Sequence, residues 1–128
     1  MTDTEKVSLN MSVVDLGQVD LLIEQGFYSS RTDFIRTAIR NLLATHAATV
    51  QQTVARQSMV LGVVVYSRKD LEALVAERKQ VEIKAVGVAV LTPDVTPELA
   101  RAAIKSIHVF GVLRASPEVK AALLDRTQ

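Results

Sequence analysis

Lys6-Val7-Ser8-Leu9-Asn10-Met11-Ser12 is the stretch whose reading decides the fold. Apolar Val7, Leu9 and Met11 alternate without a break with polar Lys6, Ser8, Asn10 and Ser12, the period of two that a strand with one buried face requires. Helical spacing takes over directly afterwards. Leu16, Val19, Leu22 and Ile23 recur between Asp15, which the pattern places as N-cap, and Gly26, placed as a left-handed terminator. Ser30-Arg31-Thr32-Asp33 then reads as a second helix start, with Asp33 answering the cap residue. Phe34, Ile35, Ala38, Ile39, Leu42 and Leu43 carry that amphipathic helix from Arg31 to at least Leu43.

A seven-residue strand does not fold as an isolated edge, and two short helices supply too little core for a module of about 45 residues to stand alone. The missing element is a partner strand. If two copies pair residues 6–12 antiparallel, Val7, Leu9 and Met11 of each face four helices, and Phe34, Ile35 and Ile39 complete a shared core. Lys6, Ser8 and Asn10 then face outward as a two-stranded ribbon. Such a ribbon fits the major groove of B-DNA, where Lys donates to guanine acceptors, Asn bonds adenine bidentately and Ser bonds several base edges.

Lys6 to Leu43, with the strand, the run Gly26-Phe27-Tyr28-Ser29-Ser30-Arg31-Thr32-Asp33-Phe34-Ile35-Arg36 and the following Ala38-Ile39-Arg40, resembles the CopG-like ribbon-helix-helix family of Arc, MetJ and ParD type. The resemblance covers about the first 45 residues. It implies an obligate swapped β-α-α homodimer that inserts its ribbon into operator DNA, a bacterial-type transcriptional repressor located in the cytoplasm and on the nucleoid when bound. Carried over by position, Lys6, Ser8 and Asn10 read bases. Backbone amides near Ser30, Arg31 and Thr32 hold a phosphate, a role that exposed N–H groups and the positive dipole end suit at any helix start.

Beyond Leu43 the chain changes character. Residues 46–58, rich in Ala, Gln and Thr, read as a helical connector between an N-terminal module, 1–45, and a C-terminal one, 59–128. Met59 to Tyr66 is a Val-rich strand, and Ser67-Arg68-Lys69-Asp70 caps a helix carrying Leu71, Leu74 and Val75. Val81 to Leu91 is a half-buried strand that becomes fully covered. A weak repeat follows: Val86-Gly87-Val88 leads to Thr96-Pro97-Glu98, and Phe110-Gly111-Val112 leads to Ser116-Pro117-Glu118, each a strand and then a helix with Pro at its first position. The helices are expected over Pro97 to Ser106 and Pro117 to Arg126. Two copies do not license a solenoid, so the expectation is a small α+β module that oligomerises or senses an effector. The whole is α+β, a ribbon-helix-helix dimer followed by that module, with tetramers or higher oligomers among its possible assemblies.

Composition narrows the functions further. The 128 residues are 48% hydrophobic and 23% charged, so the chain folds. The absence of cysteine excludes disulfides, thiolate metal sites and cysteine nucleophiles. No apolar run approaches the roughly 18 residues of a membrane span. His46 and His108, the only histidines, stand apart from clustered carboxylates, so neither a metal nor another cofactor is expected. Asp94, Glu98, Glu118 and Asp125 sit where turns and helix ends use them, and there is no nucleophile with an orienting base and no phosphate-cradling glycine loop, so the chain is not expected to be an enzyme. Phe27 and Tyr28 are expected to pack on the second helix rather than enter a groove.

Charge points the other way from DNA. Residues 1–58 hold five basic side chains against six acidic ones. That balance favours an alternative in which the protein is antitoxin-like or an assembly protein, with its two modules capturing a protein partner. A small effector bound by residues 59–128 is a third possibility.

Overall fold

Ser12, in extended backbone, starts the first helix: its hydroxyl accepts the Asp15 amide at 3.1 Å, and α1 runs Val13–Glu24. The cap therefore lies three residues ahead of Asp15, which instead occupies the first turn, where the helix dipole favours its charge. Gly26 ends α1 at φ +88°, and the amides of Gly26 and Phe27 donate back to the carbonyls of Ile23 and Leu22, both at 3.0 Å. This is a Schellman closure, and it needs the left-handed residue the sequence supplies. Ser30 caps α2, Arg31–Thr45, and α3 follows as Ala47–Arg56.

The computed structural model describes residues 4–128, which divide into two units, Thr4–Gln52 and Thr53–Gln128, the division falling within α3. In the first unit Val19 is the one buried residue among those described; Leu16, Leu22, Ile23, Phe34 and Ile35 are half-buried around it. Residues 6–12, expected as a strand, are in neither helix nor strand. A strand exists only through its ladder, and none of the described residues pairs with this segment.

The second unit is built on a parallel sheet of strand order β1-β2-β3, with β1 at Val60–Tyr66, β2 at Val81–Leu91 and β3 at Ile104–Arg114. Helices α4, Arg68–Ala76, α5, Pro97–Ala103, and α6, Pro117–Ala122, follow the three strands in turn, and a 3₁₀ turn spans Leu124–Arg126. The core lies between the helices and one sheet face: Leu71, Ile83, Ala85, Ala89, Leu91, Ala100, Ile104, Ile107, Val119 and Leu123 are all buried. On β2 the buried positions alternate with half-buried Lys84, Val86, Val88 and Val90, which face away from the helices.

Gly62, Gly87 and Gly111 stand side by side in register across the three strands, at φ between +126° and +132°. A Cβ on Gly87 would collide with the carbonyl oxygen of Gly62, and one on Gly111 with that of Gly87. The two-copy repeat of the sequence thus has a third member, Leu61-Gly62-Val63 leading to Ser67. The unit is a run of three strand–helix repeats of about 25 residues, stacked in chain order in the manner of a short solenoid. The repeat escapes a sequence reading because the first copy lacks the Pro that marks the later helix starts.

Two helices stop earlier than their patterns suggest. α5 ends at Ala103, not Ser106, because Ile104 is fully buried and pairs with Val81 as the first residue of β3. α6 ends at Ala122 and tightens into the 3₁₀ turn, after which Thr127 bridges to Ile107. Ser67 forms a complete capping box with Asp70, its hydroxyl accepting the Asp70 amide at 3.2 Å while the Asp70 carboxylate accepts the Ser67 amide at 2.9 Å. The amide and hydroxyl of Ser67 hold the Asp70 carboxyl below the usual carboxylate range. Ser67→Ala is expected to destabilise this unit by about 1 kcal/mol, read as a lower urea midpoint at unchanged slope.

Candidate nucleic-acid interface

Lys6, Ser8 and Asn10 all lie exposed on the segment ahead of α1. The apolar residues interleaved with them are equally bare: Val7 is 84% and Leu9 66% exposed, while Met11 is half-buried. Met11 reaches a groove of about 340 Å³ that it lines with Asp15, Gln18, Val19, Leu22 and Phe34. Of the remaining residues expected in a shared core, Phe34 and Ile35 are half-buried and Ile39 is exposed. Val7, Leu9 and Ile39 thus present large apolar surface that nothing in the unit covers, although water strongly disfavours it.

The helix start at Ser30 is built in detail. The Ser30 hydroxyl accepts the Asp33 amide at 3.0 Å. Asp33 does not answer Ser30 in return; its carboxylate accepts the amide of Ser29 at 3.0 Å and the Ser29 hydroxyl at 3.2 Å. The amides of Arg31 and Thr32, at the first two helical positions, precede any intrahelical acceptor and remain open to a ligand. The Arg31 side chain is committed elsewhere: its guanidinium donates to both oxygens of Asp20, at 2.9 and 2.8 Å, clamping α2 to α1. That clamp lowers the carboxyl pKa of Asp20 and raises that of Arg31. Because the Asp20 pKa is depressed on folding, the contribution of the pair is present above the ordinary carboxylate range and is lost as pH falls through the depressed value.

Nothing in the sequence marks Asp20 and Arg31 as partners, since they lie on different helices and only the turn at Gly26 brings them together. Tyr28, not Phe27, packs on the second helix, edge-to-face with Phe34 at 4.9 Å, while Phe27 stays 70% exposed. His46 forms the C-cap of α2, and the His108 ring lies 4.6 Å from that of Phe110 on β3. Among the described residues no three His, Asp or Glu side chains are grouped to hold a metal ion, and no helix is long and apolar enough to cross a membrane. Two cations of the second unit are already paired, Arg68 with Glu72 at 2.9 Å and Lys79 with Glu77 at 3.4 Å.

The chain offers, in order, an alternating exposed segment, a tightly closed helix, and a helix start with open amides. Comparison with curated proteins and with solved structures finds no match. A family model does match, over residues 2–120, so it takes in the alternating segment, its two helices, all three strands and the start of α6. The chain belongs to the ribbon-helix-helix transcriptional regulator family, which implies DNA binding and dimerisation in general.

Proposed function

We propose that the protein is a sequence-specific DNA-binding repressor whose base-reading element forms only when two copies meet. Residues 6–12 of each chain pair antiparallel, Val7, Leu9 and Met11 turn inward over Phe34, Ile35 and Ile39, and Lys6, Ser8 and Asn10 enter the major groove. The amides at Ser30, Arg31 and Thr32 hold a backbone phosphate and fix the register. Repression is steric, with dimers on adjacent half-sites. Residues 59–128 add an oligomerisation or sensing module. The observation that carries this reading is the combination of period-two alternation with the exposure of Val7 and Leu9, which leaves the first unit a single buried residue among those described. Such a unit gains its core from a second copy.

The low positive charge shapes the binding expected. With six acidic residues against five basic ones in residues 1–58, and Arg31 paired to Asp20, few phosphates are neutralised per dimer, so affinity falls only gently with salt. The same deficit favours a second reading, in which an antitoxin-like or assembly function uses the dimer to capture a protein partner. Equilibrium binding to the DNA upstream of its own gene, against scrambled DNA at two salt concentrations, separates the two. Asn10→Ala is expected to relax preference at one base position per half-site by about 1–3 kcal/mol while leaving nonspecific binding nearly unchanged. Equal losses on all sequences would remove Asn10 from base reading, and no binding to either DNA would favour the partner-capture reading.

A further inference from the structure

The two edges of the sheet are finished differently. Along β3, the C-terminal tail closes the outer side at Ile107, where Thr127 bridges and the Gln128 amide donates to the Ile107 carbonyl at 2.9 Å. Arg126 fixes that tail, its guanidinium donating to the carbonyls of Arg101 and Ile104. Along β1, no strand among the described residues pairs outside Val60–Tyr66, while Val63, in register with Val88, is 60% exposed on the sheet face away from the helices. β1 reads Val-Leu-Gly-Val-Val-Val-Tyr, without a charge or a proline to blunt it. An apolar edge left bare invites pairing, and among the described residues only the opposite edge is guarded.

We propose that β1 pairs antiparallel with β1 of a second copy about a two-fold axis, joining two three-stranded sheets into one of six strands. Three observations select that occupant. The edge carries no charge that would choose an acidic, basic or phosphorylated peptide. Two identical antiparallel edges satisfy each other's donors and acceptors by symmetry, which gives a closed assembly, whereas β1 adding to β3 would run on as a fibre and meets the tail at Ile107. Pairing also sets aliphatic side chains of β1 beside their counterparts, the contacts that stabilise a ladder.

An axis perpendicular to the sheet keeps both helix layers on one side and brings residues of the same face opposite each other. Pairing all seven residues then centres the axis on Val63, with Leu61 opposite Val65 of the second copy. This contact is independent of the ribbon proposed at residues 6–12.

The chain contains no cysteine, so an introduced one reports without background. Directly opposed residues in an antiparallel pair lie about 4.5–5.5 Å apart at Cα, within disulfide range. Under mild oxidation of the full-length protein, Val63→Cys is expected to cross-link nearly completely into covalent dimers. Phe110→Cys, on β3 and 53% exposed, is the control and is expected to stay largely uncross-linked. Far-UV circular dichroism verifies that both variants fold. Absence of cross-linking in folded Val63→Cys overturns the proposal. Equal cross-linking of both variants also overturns it, because it would mean that sheets meet face to face or collide at random. Leu9→Asp in the Val63→Cys background separates the two contacts: cross-linking that survives loss of DNA binding shows that β1 pairs by itself, and cross-linking that disappears with it overturns an independent β1 contact.

Discussion

Gly87→Ala is expected to unfold the strand–helix repeats at temperatures where the native chain is fully folded. Gly87 sits in the middle strand at φ +132°, and a Cβ there is driven into the Gly62 carbonyl, which belongs to backbone held in the ladder and cannot swing aside. Strained backbone of this kind costs about 1–3 kcal/mol, and overpacking adds about 1–3 more. Together they approach the whole stability of a small domain. Gly17→Ala is the matched control: a Cβ there meets nothing, and in the interior of α1 alanine is favoured over glycine by roughly 0.5–1 kcal/mol. Thermal and urea denaturation of the two variants should therefore move in opposite directions. A Gly87→Ala protein that melts with the native one would mean that the three-glycine ladder does not govern the sheet.

Leu9→Asp is the second large effect, and its size depends entirely on whether a second copy is present. Leu9 is 66% exposed in the single chain, where a substitution is worth no more than about 0.5 kcal/mol. In a swapped dimer the same residue lies in the core, and two uncompensated carboxylates must be desolvated, each on the order of several kcal/mol. The expected outcome is loss of helical signal from α1 and α2 and loss of DNA binding, with any mass above the monomer carried by the β1 contact alone. Unchanged helical signal, stability and DNA binding would show that residues 6–12 do not form a shared strand.

Much of this fold is legible in the sequence wherever a local rule decides it. The Schellman closure at Gly26 follows from one glycine after a helical stripe, and the caps at Ser30, Ser67, Thr96 and Ser116 follow from a hydroxyl placed ahead of an apolar run. The illegible parts have two causes, a competing local pattern at Ser12 and, elsewhere, contacts distant in the chain. Ser12 takes the cap from Asp15, although the polar alternation of residues 6–12 reads straight through it. Ile104 leaves a helical pattern for a strand because Val81 offers it a ladder. The third member of the glycine ladder becomes visible only when the strands are set side by side.

The candidate interface divides the same way. Alternation alone singles out Lys6, Ser8 and Asn10, which the structure shows exposed, and the helix start at Ser30 is legible because capping is local. The Asp20–Arg31 clamp and the bond that the Ser29 amide donates to Asp33 are not, since both depend on how one turn folds back. The clamp matters for function, because it removes a cation that a sequence reading assigns to the DNA-binding module.

The most direct test of a base-reading ribbon is selection of binding sites by the full-length protein from a pool of randomised duplexes at physiological salt, followed by titration of the enriched duplex and of a scrambled one. A two-fold ribbon predicts an enriched inverted repeat bound at least about a thousandfold more tightly than the scrambled duplex, a preference that collapses when Lys6 and Asn10 are both replaced by alanine. A pool that returns no common sequence, or an enriched duplex that the double variant binds equally well, would contradict it.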